Sequence, residues 1–340
     1  MAVSIAAVSC SPDAGSGASD AGCTGDACVD GGGGLPGQWR EPFDAREFGW
    51  LLSVAGHSPD DVYAVGGTPA DGRIMHWDGE SWSEMSVPDG VPLINWVHVF
   101  DDGTPIFAGN NGTILRRRGG DWQVQDPPTD QDLWGVWGAS TNDIWSVGGS
   151  GTEEGEAVVV RNRGDGWKKV DVPELERPNV FAFFKVWGMG PDDVYIVGQR
   201  GAVLHWDGQE LTEQFVGSSK DMISVWGSGP DDVSIIGGRA GAVLAHWDGS
   251  EWTAHDVPGL PGANGIWMPR EGVAWVAGNA GRLARVRIQK DGLSVRRAPY
   301  RTRLDFHAIF GFSGRQLYSV GGSLSRTENP TGIAITRSLE

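Results

Sequence analysis

The stretch Val225-Trp226-Gly227-Ser228-Gly229-Pro230-Asp231-Asp232-Val233-Ser234-Ile235-Ile236-Gly237 decides the fold, because the chain repeats it. VWGMGPDDVYIVG occupies 186–198, VWGASTNDIWSVG 136–148 and VAGHSPDDVYAVG 54–66. Weaker copies run over 97–109, 266–278 and 309–321. The closing glycines, at 66, 109, 148, 198, 237, 278 and 321, lie on average about 42 residues apart, which is the period of four-stranded propeller blades. The fifth copy shows four strand signals, 222–227, 233–237, 242–247 and 252–257, each β-branched or aromatic and bounded by Gly, Pro or Asp. In the GPDD turn, proline presets φ and aspartate accepts from nearby amides. A second turn, Asp248-Gly249-Ser250-Glu251, recurs as Asp78-Gly79-Glu80-Ser81 and Asp207-Gly208-Gln209-Glu210.

Seven copies predict an all-β chain folded as a seven-bladed β-propeller over 37–340. The last copy stops after its third strand, 332–337. At the other end, Gly37-Gln38-Trp39-Arg40-Glu41-Pro42 resembles the fourth strands Asp121-Trp122-Gln123-Val124 and Glu251-Trp252-Thr253-Ala254. An N-terminal strand carrying Trp39 is therefore expected to complete the last blade, which removes two exposed edges.

Composition agrees with this reading and excludes others. Of 340 residues, 53 are Gly and 17 Trp, and 39% are hydrophobic. That apolar content excludes wholesale disorder, and glycine among short apolar runs argues against a helical bundle. A net charge of −17 argues against nucleic acid as a partner. The three cysteines, Cys10, Cys23 and Cys28, all precede the repeats, so the propeller holds no thiolate nucleophile or cysteine metal site. No run of eighteen apolar residues occurs.

Residues 1–9 end in Ala7-Val8-Ser9-Cys10, which looks like a bacterial lipoprotein signal with Cys10 as the lipidated residue. The segment is shorter than usual and carries no Lys or Arg. Residues 10–36 are mostly Gly, Ala, Ser and Asp and read as a flexible, lipid-anchored tether. Cys23 and Cys28 would form a small disulfide loop there in an oxidising compartment, with a reduced pair or an intermolecular bond as alternatives. With Ser11 rather than Asp after Cys10, the expected address is the outer membrane, on its periplasmic or cell-surface face.

The repeats resemble those of bacterial, myxobacterial-type propeller lipoproteins, whose copies read VWGSGPDDVYAVG followed by ILHWDGSSW. The resemblance implies a β-propeller, and members of that group are often labelled glycosyl-hydrolase-type or sialidase-like. The match to sialidase Asp-boxes is poor, because those separate Asp and Gly by one residue whereas Asp78-Gly79 and Asp248-Gly249 are adjacent.

Loops joining strands two and three, and those joining one blade to the next, vary between copies, so the face they share is the expected binding face. Fourteen tryptophans fall in recurring slots and read as packing between blades. Trp50, Trp96 and Trp134 fall at first-strand entries, and Phe181, Phe183 and Phe184 lie in the same region of blade four. These six are candidate ligand-stacking rings. Arg200 and Arg239 sit in variable loops, and Tyr300, Arg301 and Arg303 form a basic cluster before blade seven that would suit a carboxylate or acidic glycan. His76, His205 and His246 share one slot and read as structural; the Asp pairs 60–61, 192–193 and 231–232 read as turn caps. No HExxH, P-loop or G-x-S-x-G pattern occurs. No catalytic residue, metal ligand or cofactor is therefore assigned. The expected function is a non-catalytic binding module for a glycan or an envelope protein. A glycoside hydrolase or lyase of sialidase-like type and a structural surface spacer are the alternatives.

Overall fold

A computed structural model describes residues 28–29, 38–151, 155–298, 300–324 and 328–339. Cys10, Cys23 and nearly all of the expected signal and tether lie outside the described residues. The described chain forms seven sheets, antiparallel but for one two-residue edge strand, arranged as the blades of a β-propeller. Blade five consists of Met222–Gly229, Asp232–Gly237, Val243–Trp247 and Trp252–Asp256, within two residues of the sequence expectation. The innermost strands of the other blades are Trp50–Ser58, Ile94–Val99, Leu133–Ser140, Phe183–Gly190, Ala263–Arg270 and Asp305–Phe312.

Closure follows the expected route. Blade seven has three strands of its own, ending in Gly332–Ser338. Arg40 pairs antiparallel with Thr336 on its open edge: Arg40 N donates to Thr336 O at 2.9 Å, and Thr336 N donates back at 2.8 Å. Trp39 packs into the cluster holding Ile333, Ile335 and Trp275. One expectation needs correction. The tether is not free of structure throughout, because Cys28–Val29 forms a two-residue parallel strand on Ser294–Val295, at the outer edge of blade six.

The repeat motif records how neighbouring blades touch. A Cβ on the closing glycines Gly66, Gly148, Gly237, Gly278 or Gly321 would lie 1.8–2.0 Å from a carbonyl oxygen at the entry of the first strand. Only hydrogen fits there. In VWG, the tryptophan of one blade covers the glycine of the next: a Cβ on Gly188 would meet Trp137 at 2.8 Å, and one on Gly227 would meet Trp187 at 2.6 Å. The hydrophobic clusters accordingly run across blade boundaries, the largest from Trp145 through Tyr195 to Val243. Large indoles buried edge to edge supply the apolar area that makes the ring rigid.

The first strands of blades one, three, four, five and six shift register at both ends and those of blades two and seven at the entry alone, so the entry shift occurs in all seven blades. These shifts are β-bulges, which re-aim the side chains that follow.

Candidate functional site

The two sets of variable loops do share a face. Asn111 N donates to Asp132, Arg200 N to Asp221 and Ala280 N to Asp305, so loops between strands two and three latch to the next blade's connection. The donor residues have φ of 55°, 56° and 54°, the left-handed region, and each is followed by glycine. Turn pairs meet on the opposite face, where Trp77 Nε1 donates to Pro59 O at 3.1 Å and Trp206 Nε1 to Pro191 O at 3.2 Å.

The recurring charged slots are structural. His76 Nε2 lies 2.7 Å from Asp61 and stacks on Tyr63 at 4.4 Å; His205 repeats this with Asp193 at 2.7 Å and Tyr195 at 4.3 Å. In blade three the same place holds Arg161, bound through two nitrogens to Asp143 and lying over Trp145. In the pairs 60–61 and 192–193 the second aspartate thus anchors the third strand rather than capping its turn, which corrects the expectation there, whereas Asp232 accepts from Ser228 Oγ within its own turn and from Gly272 N of the next blade. The Asp-Gly turns do cap: Asp248 accepts from Ser250 N and Glu251 N, both at 2.9 Å, and these donors hold its carboxyl down at about 2.

The candidate rings separate into three groups. Trp50 and Phe183 are buried, Trp50 donating its indole N–H to Ser323 O, so neither presents a face for stacking. This is a correction with a plain cause: both rings stand before the entry bulge, where Trp50 packs with Leu52 and Leu93 and Phe183 joins the core cluster that runs across blades three to five. Trp134, Phe181 and Phe184 are half-buried at the rim. The Trp134 indole is tied to Gly149 O at 3.1 Å, and the guanidinium of Arg239 lies 5.3 Å over Phe184. Trp96 belongs to neither group. It lines the axial channel.

Arg200, Arg239, Arg301 and Arg303 are exposed. Asp221 holds the first two together, accepting from Arg200 N at 2.9 Å and from Arg239 Nε at 2.7 Å. Tyr300 is drawn into closure: its hydroxyl donates to Glu41 at 2.7 Å, and its ring meets Phe306 edge-on. Burial, with help from the Glu41 carboxylate, pushes its hydroxyl up to about 12.

The channel is the feature that the sequence reading missed. First strands from all seven blades enclose a cavity of about 140 Å³ on the axis. The strand registers place Ser53, Trp96, Gly135, Lys185, Ser224, Gly265 and Ala308 at one equivalent level. Five of these are small, and two are long. Lys185 Nζ stands 3.8 Å from the centre of the Trp96 ring and donates to Trp134 O at 2.9 Å. Apolar surroundings penalise its charge and pull the ammonium down to about 7. His98 also lines the cavity, donating to Gly138 O at 3.1 Å, and burial pushes it down to about 4. The signal was present in the column before VWG, where one copy has lysine and the others have Ser, Gly, Ala or Trp.

No family model matches the chain. The chain is 31% identical over 99 residues to the immune protein Tsi7 of Pseudomonas aeruginosa, a stretch that is 28% of this chain and 31% of that protein. It thus spans about a third of that curated relative's length. Among solved structures, YCF48 bound to D1 peptide superposes with a TM-score of 0.63 at 14% identity, over 90% of this chain and 97% of that one. The WD40 repeats of RRP9 superpose with a TM-score of 0.66 at 12% identity, over 89% and 99%. The likeness to these structures is one of fold.

Proposed function

We propose that the protein is a non-catalytic binding module whose variable face docks an acidic segment of another cell-envelope protein. The observation that carries this reading is the rim. Four exposed arginines stand on one face of a chain with a net charge of −17, and Asp221 orients the guanidinium of Arg239 while fixing the backbone of Arg200. Guanidinium groups suit carboxylates, and oriented ones lose less entropy on binding. A glycan platform is less well served, because Trp50 and Phe183 are enclosed and Trp96 is engaged by Lys185. The sialidase-like alternative needs an activated tyrosine, whereas Tyr300 holds its proton more tightly than a free phenol. That YCF48 has a structure with a bound peptide supports peptide docking as a use of this fold. Tsi7, an immune protein, supports a protein partner.

Export and lipidation at Cys10 belong to the same proposal. They place the propeller on the outer membrane, on its periplasmic or cell-surface side, held by its anchor and the tether.

A photo-crosslinker placed at Arg200 or Arg301 in cells should trap one acidic envelope protein, and one at Gln209 on the opposite face should not. Replacing the four arginines with glutamine should abolish the adduct while the melting temperature changes little, the Arg239–Asp221 pair being largely exposed on its arginine side. Equal trapping from both faces, or sugar turnover lost on one carboxylate substitution, would overturn the proposal. Metabolic labelling with a palmitate analogue, lost in Cys10→Ser, tests the anchor.

A further inference from the structure

Among the described residues, no carboxylate pairs with the Lys185 ammonium in the channel. No acidic side chain is among the residues lining the cavity. The ammonium of Lys185 gives one N–H to Trp134 O and rests on the π face of Trp96. Two of its three donors therefore remain for the cavity. A ring face offers only a fraction of the attraction of a full negative charge, above all where water is scarce.

We propose that the axial channel is a binding site for a small carboxylate, with Lys185 as its counter-ion and Trp96 as the wall that orients it. The two free N–H groups match the two oxygens of a carboxylate, and the apolar remainder of the wall accepts a short carbon stem. A cavity of about 140 Å³ is roughly four to five times a water's share of liquid volume, which suits a group of acetate or propionate size. Of the small residues at this level, Ser224 and Gly265 line the cavity, and a Cβ on Gly265 would already lie 3.0 Å from the Ala308 backbone. The proposal does not rest on protein docking at the rim. A free short acid and the carboxylate of a partner chain share the same chemistry.

Other titratable groups near the ammonium do not supply its counter-charge. His98 and His307 are both held neutral by burial, down at about 4, and each donates to a carbonyl, Gly138 O and Gly322 O. Asp305 acts on His307 and accepts from Ala280 N. Because apolar surroundings pull the Lys185 ammonium down to about 7, a carboxylate at contact should draw a proton onto it.

The test follows the Lys185 side-chain NMR signal of labelled wild-type protein through a pH titration with sodium acetate, sodium propionate or sodium chloride. Either carboxylate should move the Lys185 midpoint upward by about one pH unit or more, as an opposite charge at contact does; chloride should not. Calorimetry at pH 7 should show proton uptake from buffer, lost in Lys185→Met and weakened in Trp96→Ala. A tripeptide with a free C-terminal carboxylate, compared with its amide, separates the sources. Tighter binding of the acid peptide than of acetate assigns the site to a chain end, and binding of acetate alone assigns it to a free acid. An unchanged midpoint at saturating acetate and propionate, or the same shift with chloride, overturns the proposal.

Discussion

Removing the N-terminal contribution to blade seven tests the closure of the ring. The double variant Trp39→Ala, Arg40→Pro deletes the Trp39 ring from its cluster and the Arg40 N–H from its bond to Thr336 O. Proline also disturbs the return bond, in which Thr336 N donates at 2.8 Å. Two net backbone hydrogen bonds are worth about 1 kcal/mol each. Full burial of a tryptophan is worth about 3–5 kcal/mol on truncation, and Trp39 is half-buried, so about 2 kcal/mol is its share. The expected loss is about 3–4 kcal/mol. With a urea slope of about 3 kcal/mol per molar, the midpoint should fall by about 1 M. Hydrogen exchange should also lose protection in 332–338, the strand left as an edge. Trp39→Phe is the control. The indole N–H finds no hydrogen-bond partner among the described residues, so phenylalanine should cost far less than alanine. A double variant that unfolds within about 0.2 M of wild type would refute the reasoning, as would equal losses for phenylalanine and alanine.

Lys185→Met should stabilise the protein at pH 6 by about 1–3 kcal/mol, the lowered ammonium corresponding to 1.36 kcal/mol per pH unit before discounting channel water and the Trp96 contact. Below about pH 7 both states are protonated and the native state bears the full charge; above it the unfolded state holds more protons, so wild-type stability rises with pH and the advantage should vanish near pH 10.4, as urea titrations across this range would show. Gly237→Ala, whose Cβ would lie 2.0 Å from Asp221 O, should cost more than about 3 kcal/mol or prevent folding, whereas Gly229→Ala, with nothing within 4 Å, should leave the melting temperature unchanged. Asp193→Ala and His205→Ala, measured singly and together, should give a coupling of about 1 kcal/mol in a double-mutant cycle, since the 2.7 Å pair is half-buried.

Much of the site proved legible only in part, and the reasons are local. Arg200, Arg239, Arg301 and Arg303 could be placed on the rim because they stand in loops that break the repeat. Trp50, Phe183 and Trp96 could not be sorted from one another, although all three mark a first-strand entry. The entry bulge of each first strand interrupts the alternation of side chains, so a two-residue period no longer says which ring faces the seam and which the axis.

The sequence by itself determined the seven blades, their turns and the strand that closes the last one. Those properties are local patterns: a glycine where a carbonyl comes close, a tryptophan beside a glycine, an aspartate whose turn has two amides to bind. Tertiary structure alone decided that Lys185 of blade four meets Trp96 of blade two and the Trp134 carbonyl of blade three. That meeting depends on the curvature of the closed ring, which brings residues far apart in the chain to one axis, and no pattern within a single repeat encodes it.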